Sequence, residues 1–476
     1  MGAVARTVDT ERPAPAGLDP LRARTYARLL AVASVVLVAA LVAAHPDTLT
    51  LPQALLAAAV GACGLLPAYF YLRAGGVEPV PLLPLIGLFH GVTFGFVAFF
   101  PSLDWMRTQP EAVSRALWLS LCGVLALYAG YAAAGPLLRR VRPLRIPAEA
   151  GPARLRAAAW AFFAAHLLYQ YVPRVAAIPS LQHLLGPLGW LAMGLLFIQF
   201  LRGQLPLLHR LLFFLVALPA ELFIRFVSGA LYEFLLVFVF FALTYWRIRR
   251  RLPWMVAVAV VGLFMVLNPV KYGYRQAVKD MPEDASPMVK GATFLAMTGA
   301  YYSGLGQEDT ELAATSSLNR FGCVALLAYV VERTPAVIPY WGGATYSYFL
   351  PGLVPRALWP EKPSAAFGND FGHRYLLLGP GIYDTSINLP WLVEFFVNFG
   401  PVAVPLGMAL VGLALRLIAR KVDNPQANDC EYVLGLTLCF QLFWAESNLA
   451  IMWGGLLQTS LALYVVLSLA VRRVRW

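Results

Sequence analysis

Apolar positions along this chain do not alternate; they fall in runs about 20 residues long, the length that covers a hydrocarbon core roughly 30 Å thick. The runs lie at 27–45, 51–72, 80–100, 112–135, 156–177, 185–201, 210–227, 230–246, 252–270, 390–416, 432–447 and 451–471. A spanning backbone must satisfy its hydrogen bonds within the segment, so each run predicts a helix. The pattern predicts an all-α polytopic membrane bundle of about twelve transmembrane helices. One long polar stretch interrupts it. The expected organisation is a tail at 1–26, a membrane domain of about nine helices at 27–271, a large loop with short interfacial helices at 272–389, and C-terminal membrane helices at 390–476.

Composition agrees: 59% of residues are apolar, only 13% are charged, and the mean hydropathy is +0.66. Charge adds orientation. Alternate connections, beginning with the N-terminal tail, carry 24 basic and 8 acidic residues, while the intervening ones are almost free of Lys and Arg. By the positive-inside rule both termini are expected in the cytoplasm and the large loop outside. The pI of 9.6 then reflects topology and attraction to anionic headgroups. The loop itself holds 8 basic and 10 acidic residues, and no nucleic-acid partner is implied. The polar lead is long and the first apolar run is full length, so that run is expected to remain as a span. The five cysteines show no metal-ligand spacing, and Cys323 alone falls in the loop. There is no internal repeat of the kind found in many transporters.

Several ionisable residues fall in the outer ends of the expected helices: Arg174, Glu221, Arg225, Glu233, Glu394 and Glu446. At a helix centre each would cost roughly 2.5–3.5 kcal/mol, and less near an interface. A shared site near the outer face would account for their common depth. The simpler alternative is that Glu221 and Arg225, four residues apart, pair with each other. His90 and His166 lie nearer mid-run, where a lone histidine is more often a packing residue than a catalyst.

The loop opens with Lys271 and Arg275 flanking two tyrosines, a common juxtamembrane anchor. Weakly apolar stretches at 291–306 and 318–335 predict short helices, the second capped by Ser317 or Asn319 and either interfacial or re-entrant. Residues 341–370 are rich in Pro, Gly and Trp, which allows rigidity without regular structure. Arg356, Lys362, His373 and Arg374 lie close in sequence to Asp370 and Asp384. Arg offers a planar fork matched to phosphate oxygens, and Lys adds a point charge. Tyr340, Trp341, Tyr346, Tyr348 and Trp359 are placed to stack on sugar rings. A belt of interfacial aromatics with solvated charges explains the same composition equally well. Two loop carboxylates are weak grounds for a metal, and none is expected. Beyond the loop, Glu394 and Asn398 share a helix face, and Gly400-Pro401 is expected to bend or interrupt that helix.

The run from Asn319-Arg320 through Pro355-Arg356, Trp359-Pro360, Lys362-Pro363, Thr385-Ser386, Glu394 and Asn398-Phe399-Gly400 resembles the O-antigen polymerase family, the Wzy-type oligosaccharide repeat unit polymerases. The likeness covers about 318–412; Glu361 stands where that run more often has Asp. The resemblance implies a multi-pass protein of the bacterial inner membrane. It would move a growing glycan from undecaprenyl pyrophosphate onto the non-reducing sugar of a new lipid-linked repeat unit, at the periplasmic face. It implies Arg320, Arg356 and Lys362 at the pyrophosphate, with Arg275 in reserve. Glu394, then His373, then Asp370 are the bases to expect, and Tyr346, Trp359 and Trp341 would meet sugar. Partners would be the lipid-linked oligosaccharide, membrane lipids, and a chain-length regulator and flippase of the same pathway; no cofactor is expected. A ligase, a lipid-linked oligosaccharide flippase and a non-enzymatic scaffold remain as alternatives.

Overall fold

A computed structural model describes residues 17–100, 108–146, 150–228, 231–251, 253–282, 285–303, 322–363, 367–383, 385–422, 424–443 and 445–471. In chain order the helices are α1 (Pro20–Ala43), α2 (Leu51–Arg73), α3 (Leu82–Phe94), α4 (Pro110–Leu137), α5 (Pro152–Tyr171) and α6 (Gln182–Leu201). Next come α7 (Leu207–Val227), α8 (Leu231–Arg249), α9 (Trp254–Leu267), α10 (Lys271–Lys279), α11 (Pro287–Tyr302), α12 (Cys323–Arg333), α13 (Phe349–Leu353) and α14 (Gly368–Arg374). The C-terminal part holds α15 (Trp391–Phe399), α16 (Ala403–Val422), α17 (Asp429–Leu442) and α18 (Leu449–Val471).

Helix starts follow local chemistry. Proline occupies the first turn of α1, α2, α4 and α5, where its missing N–H costs nothing. Asn428 and Glu431 form a capping box at the start of α17.

Among the described residues, eight helices are long and apolar enough to cross a membrane: α1, α2, α3 with its 3-10 extension to Phe99, α4, α6, α7, α16 and α18. The other four expected spans are shorter or more charged. α9 and α17 have 14 residues each, while α5 and α8 carry arginines inside their ends. The run at 390–416 is not one span. It breaks after Phe399, where Gly400 takes φ 82°, and the apolar helix is displaced to Ala403–Val422. Proline at 401 has no N–H to continue the ladder, so the interruption follows from the sequence.

Close packing rests on small residues, as expected where lipid supplies no hydrophobic drive between helices. α4 lies along α16 with Gly130 against the backbone of Ala409 and Gly412 against Leu127 O. α12 is buried against α4, α3 and α15. The described part of the 318–335 stretch is therefore packed inside the bundle.

The ends of the bundle separate the connections. At one end Leu18 N–H donates to Gly75 O (2.6 Å) and Leu144 N–H to Lys421 O (2.8 Å). There too, Arg250 donates to Gly76 O (3.1 Å), Arg249 to Leu201 O (2.7 Å), and Arg202 pairs with Asp429 (2.7 Å). At the other end Gln53 donates to Pro110 O (2.8 Å), and Ala357 N–H donates to Ser180 Oγ (3.2 Å). The described parts of the basic connections thus gather at one end of the molecule, and the 341–363 segment at the other.

Candidate functional site

The broken helix α15 holds the site together. Its last-turn carbonyls have no helical partners, and the loop takes them: Trp341 N–H donates to Val397 O (2.9 Å) and Gly342 N–H to Asn398 O (3.1 Å). Asn398 Nδ2 donates to Thr345 Oγ1 (2.9 Å) and to Glu394 O (2.8 Å), and its Oδ1 accepts from Gly343 N–H (3.1 Å). One turn earlier the fully buried Glu394 accepts from Leu449 N–H at 2.8 Å, at the start of α18. The face shared by Glu394 and Asn398 therefore ties the 341–345 turn to the first turn of α18.

Above that turn α13 lies against α18, where Gly352 meets Gly454; a Cβ at Gly454 would come 3.0 Å from Gly352 O. A cavity of about 500 Å³ opens beside this contact. Arg356, Lys362, Ser180, Gln182, His183 and Gln458 supply its polar lining. Lys362 Nζ donates to Val354 O (2.9 Å) and Gly352 O (3.4 Å). Arg356 donates from Nη1 to Pro360 O (3.1 Å) and from Nη2 to Pro363 O (3.5 Å). These bonds leave about three Arg and one Lys N–H donors for a ligand. Burial, and then the Arg356 charge, lower the proton affinity of Lys362. Among the described residues no carboxylate lines the cavity, so its described wall is cationic and suited to an anion with several oxygens.

Gln182 and His183 also line a second cavity of about 560 Å³ between α5, α6, α7, α8 and α17. It contains a charge network. Glu221 accepts from Arg225 Nε (2.8 Å) and Nη2 (2.5 Å), and its other oxygen lies 3.0 Å from His166 Nε2. Arg225 Nη1 is 3.6 Å from Glu233, and the guanidinium lies 4.1 Å from the Trp190 ring centre. On the far side of α18 and α13 runs an apolar groove of about 740 Å³ along α16, walled by Tyr346, Phe349, Phe399, Leu406 and Trp453.

The structure brings together only part of the expected set. Arg356 and Lys362 share the cationic cavity. Arg320, Asn319 and Asp384 lie outside the described residues. Arg275 is on α10, which packs with α11 and lines none of these cavities. The three expected bases do not line the cationic cavity. Glu394 Oε2 accepts from Leu449 N–H, and its buried Oε1 takes no part in that bond; His373 Nε2 lies 3.1 Å from Ile382 O beside the Tyr383 ring; Asp370 is exposed at the start of α14. Trp341 packs on Phe371 under Arg374, Tyr346 stacks on Phe399, and Trp359 is 41% exposed.

The six outer-end charges do not form one site. Glu221, Arg225 and Glu233 join His166, Glu446 accepts from Asn388 (2.5 Å), and Arg174 is exposed. His166 therefore has a carboxylate neighbour that its isolation in sequence concealed. His183, Gln182 and Gln458 were also missed; the signal available was a polar side chain inside or opening an apolar run.

These features define a multi-pass helical membrane protein with a cationic cavity at one end of its bundle. No family model, curated protein or solved structure matches the chain.

Proposed function

We propose that this protein polymerises undecaprenyl-pyrophosphate-linked oligosaccharide repeat units at the periplasmic face of the bacterial inner membrane, producing O-antigen or exopolysaccharide. The single observation that carries the reading is the convergence of Arg356 and Lys362 in a cavity beside α18 that no carboxylate lines among the described residues. The proposal includes twelve membrane crossings, both termini in the cytoplasm, and the 341–363 segment outside; the segregation of basic connections to one end of the bundle supports it.

In the reaction the acceptor sugar hydroxyl attacks the anomeric carbon of the donor glycan. The carbon–oxygen bond to the pyrophosphate breaks, the pyrophosphate leaves with the bonding electron pair, and the hydroxyl proton passes to a base. Arg356 and Lys362 would neutralise the departing pyrophosphate. Preorganised groups of this kind are worth about 10²–10³-fold each. His183, which lines both polar cavities, is the group we assign to the proton, a step worth about 10²–10⁴-fold. The apolar groove across α18 offers a place for the isoprenoid chain.

The test is reconstitution in lipid vesicles with a purified lipid-linked repeat unit and no nucleotide. A ladder of lengthened chains is the expected product. Folded protein that leaves the repeat unit unchanged would overturn the proposal. A second reading, passage of the same lipid-linked oligosaccharide across the membrane, is supported by the polar cavity inside the bundle. It predicts movement of the repeat unit between leaflets without any new glycosidic bond.

A further inference from the structure

The sequence directs attention to loop aromatics as the sugar-binding surface, but the chemistry of the two polar cavities differs in a way that points elsewhere. The cavity around Arg356 and Lys362 has cations and, among the described residues, no carboxylate. The adjoining one, between α5, α6, α7, α8 and α17, has its Arg225 guanidinium met by two carboxylates: Arg225 is held by Glu221 at 2.5 Å and faces Glu233 at 3.6 Å. An anion would meet no net positive charge there, and a hydrocarbon would leave charged and amide groups buried without partners. What remains available is hydrogen bonding. Gln170 and Gln441 line this cavity, and among the described residues their amides have no protein partner. Each amide offers two N–H donors and a carbonyl acceptor. Gln182 lines both cavities and stands at the boundary.

We infer that the cavity bounded by His166, Gln170, Gln182, Arg225, Glu233 and Gln441 is a binding site for an uncharged saccharide, taken up next to the phosphate-bearing end of the same or a second substrate. An amide-rich wall with no excess positive charge suits a ligand rich in hydroxyls, each of them donor and acceptor. Continuity through Gln182 and His183 sets that ligand beside an anion in the cationic cavity. The inference rests on the polymerase reading for its biological meaning, but its chemistry is separable. It moves sugar recognition from Trp341, Tyr346 and Trp359 to the helices.

The experiment uses full-length protein in nanodiscs. The probe is the repeat-unit oligosaccharide freed of lipid and phosphate by mild acid, observed by saturation-transfer NMR. Wild type should bind it, and Gln441→Leu and Gln170→Leu should each weaken binding about five- to tenfold, the loss expected for one or two neutral hydrogen bonds. Lys362→Met should leave this binding unchanged. Gln182→Leu is the alternative if either variant fails to give a folded protein by thermal melting. No binding to wild type, or equal binding to all glutamine variants, would overturn the site. Chain extension is measured on the same samples. Extension that is normal in Gln441→Leu and Gln170→Leu removes the saccharide site and leaves the polymerase standing. Wild-type oligosaccharide binding with amide dependence but no extension removes the polymerase and leaves the site.

Discussion

Replacing Lys362 by Met separates a functional cation from a solvated one. Met keeps most of the aliphatic stem and removes the charge, together with the bonds from Nζ to Val354 O (2.9 Å) and Gly352 O (3.4 Å). An ordinary exposed ion contributes about 0.2–1 kcal/mol, less than about fivefold in any equilibrium. A preorganised charge on a leaving group contributes about 2.7–4 kcal/mol, or about 10²–10³-fold in kcat. The two outcomes do not overlap. Our reading requires the larger loss in the vesicle polymerisation assay, with the protein still folded. Arg356→Lys, which keeps charge but loses the fork, should also lose activity.

Alkaline pH adds a check on sign. Burial and the Arg356 charge hold the Lys362 proton affinity below the ordinary lysine value of 10.5, so activity should fall with rising pH earlier than for a solvated lysine. Arg356→Gln removes one of those causes, and the alkaline limb of its residual activity should move to higher pH. Between the lowered value and 10.5 the unfolded chain binds more protons at this site than the folded one, so its contribution makes stability rise with pH. A loss in Lys362→Met below fivefold, or an alkaline limb that moves down in Arg356→Gln, would refute the assignment.

Glu394→Gln keeps an oxygen for Leu449 N–H and should hold activity within a few-fold, whereas loss of a catalytic base would remove about 10²–10⁴-fold; glycan length on gels distinguishes them. Glu394→Ala leaves that N–H unpaired and should destabilise by about 1–3 kcal/mol, read as a fall in melting temperature in detergent. Glu221→Ala strands the buried Arg225 and should cost about 3–5 kcal/mol, while Glu221→Leu with Arg225→Met should melt closer to wild type. Leu358, 78% exposed beside the cationic cavity, should as Leu358→Cys react with an impermeant maleimide from outside intact cells. Labelling only after the membrane is opened would reverse the topology and remove the periplasmic reading.

Residue counting made much of the fold legible. Helix length, the break at Gly400-Pro401 and the shared faces of Glu221 with Arg225 and Glu394 with Asn398 are all distances along a helix, which sequence measures directly at 1.5 Å per residue. The side of each helix on which a polar group emerges is a different matter. Helices such as α6 and α18 are apolar on every side, so no stripe assigns a direction to Gln182, His183 or Gln458. Their meeting depends on which small residues let neighbouring helices approach, as Gly352 and Gly454 do.

The same limit explains why the expected bases stand apart from the cationic cavity. Glu394 and Asn398 do share a face, as their spacing required, but that face turns toward Leu449 N–H and the 341–345 turn. A carboxylate buried against a helix start serves as an acceptor for backbone that has no other partner. Arg356 and Lys362, six residues apart among prolines, were legible as a pair because turns hold them by their own carbonyls. Their companion His183 comes from a helix more than 160 positions earlier. Chemistry in this protein therefore collects where a rigid local loop, readable in sequence, meets apolar helices whose rotation only packing decides.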